Sequence, residues 1–301
     1  MAQIIIDDLP YEQRVAYWEA AKKKAKQFEG LRNFNEEGEK FLYKLTVEGS
    51  GKVHAIKSDF KITSLNELHY MEHDKENDRY RFRLKELSYN LDKYEDPVVV
   101  QIVEMSNMIS EIYQELDFWV NRYGLLVKIN NREQIRRKWE KVKEYLTYKH
   151  PLSSYEIIRA KENEMADPEA EIRNIRFIHF IHVYFMLFGR FEDQASFEVT
   201  DMDRFGSLIP FQVNVKYERK NSEAGKLHRH LQGRLIHDSK VINALCKATK
   251  DSNADVVYEI RGDYHNDGLI IEETNFSYNE KIGENYTMYS HLNLKLVPDG
   301  K

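Results

Sequence analysis

The chain has 301 residues, of which 42% are hydrophobic and 32% charged, and its formal net charge is −5. This length suits one large domain or two ordinary ones. An aromatic content of 12% with only 6 prolines argues against a disordered chain. The mildly acidic balance disfavours a general attraction to nucleic acid or to anionic membrane surfaces.

Cysteine content and the apolar segments bear on the compartment. The single cysteine, Cys246, precludes an internal disulfide and favours a reducing, cytoplasmic setting. Residues 1–8 lack the basic region and long apolar core of a secretory signal. The most apolar run, Phe177 to Phe188, is shorter than the roughly 20 residues of a membrane-spanning helix, so we expect a buried helix and no membrane insertion.

The first 36 residues are predicted to form a helical arm. Apolar residues recur at helical spacing from Tyr11 to Phe28, and Gly30 ends the pattern. The lysines between Lys22 and Lys26 are interpreted as a solvated helix face, with a phosphate-binding patch as the alternative.

A first α+β domain is predicted over residues 37–150. Period-two alternation predicts strands around residues 41–47, 53–65 and 80–85, and the segment that holds His69 and His73 is interpreted as a polar loop. Asp96-Pro97 predicts a helix start, and a hairpin pattern follows around residues 116–129. Residues 131–134 resemble a capping box that starts another helix.

Residues 151–168 are predicted to connect this domain to a second one, over residues 169–301. Asp167-Pro168 predicts the start of a single helix that ends at Gly189 and carries a heavily aromatic side. Strands, a short helix over residues 238–250, and three further strands complete the pattern. The order of elements resembles that of the first half.

These patterns predict an α+β fold of two antiparallel-sheet-plus-helix units, and the similar order raises a diverged duplication as a hypothesis. Short turns join most strands, which favours antiparallel pairing with helices on one face.

A pair of histidines on one predicted strand is the first candidate site. Alternate residues of a strand share a face, so His228 and His230 could reach one metal ion. Glu218, on the hairpin partner, is the candidate third ligand. The competing interpretation is a polar sheet face that carries histidines without a metal.

A second histidine pair, His179 and His182, lies one helical turn apart in the aromatic helix. These side chains are the candidate catalytic acid–base groups. The competing interpretation is a pair of hydrogen-bonded histidines at a domain seam.

No phosphate-binding loop, dinucleotide-binding glycine motif, metalloprotease helix or nucleophile elbow occurs in the sequence. We therefore favour a non-catalytic protein-binding or assembly protein without a cofactor. One form of this hypothesis is a bacterial cytoplasmic adaptor or chaperone for a larger machine or a secreted cargo. Its partner would be another protein or a second copy of the chain.

Two other classes remain as alternatives. One is a hydrolase, metal-dependent or not, with a site between the two halves built from the two histidine pairs. The other is a nucleic-acid-binding protein, which would need the basic residues of the arm and those between Arg132 and Lys143 to form one continuous surface.

Overall fold

The computed structural model describes residues 34, 37–91, 105, 107–151, 154–202, 209–221, 226–249 and 254–298. The predicted arm, apart from Phe34, and the predicted helix start at Asp96 lie outside these ranges. The strands are β1 (Lys40–Val53), β2 (Ile56–Asp74), β3 (Arg79–Leu91), β4 (Glu115–Asn121), β5 (Leu126–Ile129), β6 (Gln194–Met202), β7 (Pro210–Asn221), β8 (Lys226–Leu235), β9 (Val256–Asp267), β10 (Ile270–Ile282) and β11 (Tyr286–Leu296). The helices with both ends described are α1 (Arg132–Lys149), α2 (Tyr155–Ala166), α3 (Pro168–Ile175), α4 (His179–Phe185) and α5 (Ser239–Ala248).

All of these strands belong to one antiparallel sheet, in the order β5-β4-β3-β2-β1-β11-β10-β9-β8-β7-β6. The prediction of two separate sheet-plus-helix units, with its duplication hypothesis, is therefore wrong. The first and last strands meet in the middle, where β1 pairs with β11 from Tyr43↔Leu296 to Val53↔Tyr286. Alternation in sequence identifies a strand but not its partner, and this long-range pairing merges the two halves.

One face of the sheet is apolar and the other is polar. In β1, Phe41, Tyr43, Leu45 and Val47 are buried while Lys44 and Glu48 are exposed. Because successive residues of a strand point to opposite sides, this alternation places the first set against the core. The same alternation continues through β7 and β8 and into β10.

Of the segment interpreted as a polar loop, residues 69–74 belong instead to the 19-residue strand β2, whereas residues 75–78 do form the turn to β3. His69 pairs with Arg83 across the ladder, and its ring bonds the carboxylate of Glu67 on the same face. Polar residues are compatible with a strand here because their side chains have partners: His69 bonds Glu67, and the ring of His73 stacks on Tyr80 of β3.

The helix α4 packs on the apolar face. The Tyr264 hydroxyl donates to the backbone oxygen of Val183 at 3.1 Å, and the rings of Tyr43 and Phe180 meet edge to face at 5.6 Å. Every residue of α4 after His179 is buried, which matches the aromatic helix expected from the sequence.

The helix predicted from Asp167 to Gly189 is interrupted. The Asp167 side chain accepts from the Glu169 amide at 2.9 Å and Pro168 follows, as the sequence predicts. The segment then divides into α3 and α4 because Ile178 takes an extended ψ of 125°. The helix α2 occupies most of the predicted connection, and the domain limits at residues 36, 150 and 168 stay predictions.

The predicted start of α1 is correct, but the predicted capping box is not formed. The Asn131 side chain makes no cap hydrogen bond to its own helix. It instead accepts from the Asp117 amide at 3.0 Å and donates to the Glu115 oxygen at 2.8 Å, which ties α1 to β4.

Asp117 organises the polar face near that end of the sheet. Its carboxylate accepts two bonds from Arg81, at 2.8 and 2.9 Å, one from Arg83 at 3.1 Å and one from Asn130 at 2.7 Å. Burial opposes ionisation, but the hydrogen bonds from Arg81, Asn130 and Arg83 outweigh it and lower the pKa of Asp117.

Candidate functional site

The strand β6 is the last strand of the sheet and pairs on one side only, with β7. The Arg219 amide donates to the Asp193 oxygen at 2.7 Å, which identifies the residues of β6 that bond β7. In an antiparallel pair every second residue directs both backbone groups to the partner. Ala195, Phe197 and Val199 therefore face β7 with their backbone groups.

The alternate residues of β6 direct their backbone groups away from the sheet. These residues are Gln194, Ser196, Glu198 and Thr200. Within the described ranges no strand pairs with this side. The result is an open edge that runs along a nine-residue strand.

A cavity of about 480 Å³ adjoins this edge on the polar face. Side-chain bonds between β6 and β7 stiffen the adjacent surface: the Ser196 hydroxyl donates to the Asn214 amide oxygen at 3.0 Å, and the Gln212 amide donates to the Thr200 hydroxyl at 3.0 Å. The cavity is lined by Gln194, Ala195, Ser196, Lys216, Tyr217, Glu218, His230 and Gln232.

A second, smaller cavity lies on the opposite side of β6, against α4. Phe197 and Val199 line it together with Ile181 and Phe185. The Arg190 guanidinium lies 3.5 Å from the centre of the Phe197 ring, an arrangement that favours a cation–π contact. Burial lowers the pKa of Arg190.

A buried arginine on β8, two strands in from β6, contacts the segment that follows α4. Arg229, 2% exposed, donates to the Leu187 oxygen at 3.1 Å and also to the Arg190 oxygen. Burial lowers its pKa to about 10, although the neighbouring Tyr217 opposes the shift. The guanidinium thus holds the chain that follows α4 against β8.

The carboxylate beside His228 and His230, the two histidines of the predicted metal site, is not the expected one. His228 and His230 share the polar face, and Glu218 lies opposite His230 in the ladder. The nearest carboxylate is instead Asp263 on β9, 3.0 Å from His230 Nδ1 and 3.8 Å from His228 Nε2.

His265, also on β9, stacks on His228 with 4.1 Å between ring centres. Burial lowers the pKa of His228, and the charge of His265 adds to the effect. The sequence offered no signal for Asp263 or His265 because the register of β8 against β9 cannot be read from alternation. Across the described part of the chain, no group of three or more His, Cys, Asp or Glu side chains is arranged to hold a metal ion.

The other histidine pair lies on the opposite side of the sheet, in α4. His179 lines a cavity over β1–β3, whereas His182 lines the cavity beside Phe197. His182 Nε2 lies 3.9 Å from Asp201, whose carboxylate also accepts from the Tyr258 hydroxyl. The sheet therefore separates the two histidine pairs, and they cannot line one pocket.

No helix among the described residues is both long and apolar enough to cross a membrane.

Comparison with known proteins leaves the family open. No protein-family profile matches the chain, and no curated protein matches it. Among solved structures, one of lipovitellin, described by its lipid–protein interactions, has a TM-score of 0.48 and 11% identity and covers 87% of this chain. The chain spans 25% of that protein. An outer membrane channel from Pseudomonas putida F1 has a TM-score of 0.17 and 9% identity, over 88% of this chain and 97% of that one. These similarities are too low to carry an argument about fold or activity.

Proposed function

We propose that the protein is a non-catalytic binding protein that takes an extended segment of a partner as an additional strand on β6. The observation that carries this proposal is the open edge formed by Gln194, Ser196, Glu198 and Thr200. Each of these residues offers one backbone donor and one acceptor. Strand addition uses such groups for affinity.

The surroundings of the edge support selectivity as well. A strand added to β6 would place alternate side chains on opposite faces of the sheet. One set would lie beside the polar cavity at Lys216 and Glu218, and the other beside the apolar cavity at Phe197 and Val199. The expected partner segment therefore alternates polar and apolar residues.

The partner is a protein segment or the β6 strand of a second copy. The role of a bacterial cytoplasmic adaptor or chaperone for a larger machine or a secreted cargo belongs to this proposal. A protein with that role must hold a partner segment reversibly, and an open edge suits this because backbone pairing demands little of the partner's sequence.

The test is selection of nonapeptides on the full chain, followed by affinity measurement with the Glu198→Pro and Glu198→Ala variants. Proline removes a backbone donor that points away from β7, whereas alanine keeps it. We expect the selected peptides to alternate and to bind Glu198→Pro at least about tenfold more weakly, a loss of about 1.4 kcal/mol. Binding to Glu198→Ala should be close to that of the original chain.

Self-association is measured on the same variants by sedimentation. A dimer that Glu198→Pro dissociates and Glu198→Ala preserves would identify the second copy as the occupant. A chain that stays monomeric and yields peptides insensitive to the proline would contradict the proposal.

The hydrolase alternative stays an untested prediction. Its four histidines lie on opposite faces of the sheet, so a single groove that combines them is absent from the described residues. A hydrolase would have to use one pair alone.

A further inference from the structure

A cavity on the apolar face lies apart from the β6 edge. It has a volume of about 270 Å³ and lies between the strands β1–β3 and the start of α4. Its walls include the apolar side chains Leu45, Ile62, Leu84 and Phe180. Cavities of this kind, mostly apolar with a few polar groups, are typical of small-molecule sites.

Of the described residues that line this cavity, one, Glu86, carries a carboxylate. It lies on the apolar side of β3, opposite Asn66 in the ladder, and is half-buried. Among the described residues, its carboxylate forms no hydrogen bond or ion pair, and its backbone amide is bonded to the Gln114 oxygen at 2.8 Å. A partly buried carboxylate without a partner is costly to the folded state.

In the described part of the chain, the charges near Glu86 do not neutralise its carboxylate. Burial raises the pKa of Glu86, and the neighbouring carboxylate of Glu111 adds to this. The cation next to the cavity wall, Lys161, contacts Tyr113 but is paired with Glu164 at 2.6 Å. Among the described residues no cation pairs with the Glu86 carboxylate, so a bound cation would supply the missing counter-charge.

Buried polar groups lie on the same wall. Ser64 and Asn66, each 4% exposed, line the cavity and are joined by a 2.8 Å bond from the Asn66 amide to the Ser64 hydroxyl. His179 and Tyr89 also contribute to the lining. The wall is therefore apolar with a few polar positions.

We propose that this cavity binds a small organic cation, an amine with an apolar body of about the size of an aromatic ring system. The body would pack on Leu45, Leu84 and Phe180, and the ammonium would pair with Glu86. The pairing supplies the positive charge that the described part of the chain does not, and a charge-assisted bond in a desolvated site is among the stronger polar contacts.

The test compares three probes with the same ring: tryptamine, a cation; indole, neutral; and indole-3-propionate, an anion. Binding to the full chain is measured by calorimetry. We expect tryptamine to bind at least about tenfold more tightly than indole-3-propionate. Glu86→Gln should remove this preference, because it keeps the size of the side chain and removes its charge.

Two further variants locate the site. Glu115→Gln removes a carboxylate on the polar face of the neighbouring strand and should leave the binding of all probes unchanged. Ile62→Trp should fill the cavity and weaken the binding of tryptamine and indole alike. Three results would each overturn the proposal. Glu86→Gln could bind tryptamine as tightly as the original chain does, or the original chain could bind indole-3-propionate more tightly than tryptamine. The original chain could also fail to bind tryptamine at millimolar concentration.

Discussion

The two ends of the sheet differ in how their last strands are finished. The strand β5 has four residues, and the Arg176 guanidinium donates to its Leu126 oxygen at 2.6 Å. The strand β6 has nine residues, and the outer backbone groups that we identify on it have no strand partner in the described ranges. A short, capped edge resists further pairing, whereas a long, open one is suited to it.

The same contrast holds for the polar side chains near each end. Near β5 the buried Asp117 is saturated by Arg81, Arg83 and Asn130. In the half of the sheet that ends at β6, the cluster of His228, His230 and Asp263 on β8 and β9 is partly exposed. One end has the character of a structural network, and the other that of a surface available to a partner.

Proline substitutions on β6 give the largest expected effect. Val199 directs its amide to β7, so Val199→Pro should remove a ladder bond and lower the free energy of unfolding by about 3 kcal/mol. Glu198→Pro, one residue away, should cost about 1 kcal/mol or less because its amide points outward. Chemical denaturation measures both, and equal losses would show that the assignment of the open edge is wrong.

Asp117→Ala should lower the free energy of unfolding by about 2–3 kcal/mol, because it removes the buried acceptor of the hydrogen bonds from Arg81, Arg83 and Asn130. The lowered pKa of Asp117 means that its contribution is present above the unfolded pKa and is lost as the pH falls through the folded pKa. Denaturation of both proteins between pH 7 and pH 2 measures this.

Asp193→Ala is the matched control at the other end of the sheet. Asp193 is an exposed carboxylate that contacts Arg219 at 3.3 Å, so its loss should cost under about 1 kcal/mol. If Asp117→Ala and Asp193→Ala lowered the free energy of unfolding by similar amounts, the proposed difference between the β5 and β6 ends of the sheet would be wrong.

Glu86→Gln should raise the free energy of unfolding at neutral pH by about 1 kcal/mol, because it removes a half-buried carboxylate that has no counterion among the described residues. The raised pKa of Glu86 means that the original chain loses this stability as the pH rises from the unfolded pKa through the folded pKa. Glu111, His179, Tyr89 and Tyr113 are the other titratable groups around it. The difference in the free energy of unfolding between Glu86→Gln and the original chain should vanish below pH 4. A difference that does not change with pH would show that the ionisation of Glu86 is not its cause.

The smallest expected effect concerns His228. Burial and the charge of His265 lower its pKa, so the folded state is destabilised as the pH falls below the unfolded value near 6.5. His265→Gln should raise the pKa of His228 only part of the way back to its ordinary value, since burial would still act on it. NMR titration of the imidazole signals measures this, and an unchanged pKa would mean that the stacked ring has no electrostatic role.

Local structure could be predicted where the signal is local. Alternation identified the buried residues of β1, and the Asp167-Pro168 pair identified the start of α3. The part of β2 around His69 was predicted wrongly as a loop because a strand can carry polar side chains that bond one another, as His69 and Glu67 do. The capping box predicted at Asn131 is absent because the Asn131 side chain forms its hydrogen bonds with the backbone of β4 and not with its own helix.

The candidate sites divide in the same way. The sequence placed His228 and His230 on one face, since that follows from the geometry of a strand. It missed Asp263 and His265, which the register of β9 supplies, and it missed the carboxylate of Glu86, for which the described residues offer no partner.

The sequence by itself determined the strands, most of the helices and the side of each strand that is buried, because these follow from backbone periodicity. Only the tertiary structure decided that β1 pairs with β11 and that β6 lies at an edge. It also decided that the histidines of α4 and those of β8 lie on opposite sides of the sheet. Those outcomes depend on contacts between residues far apart in the chain, and no local pattern of side chains encodes which distant strand will be the partner.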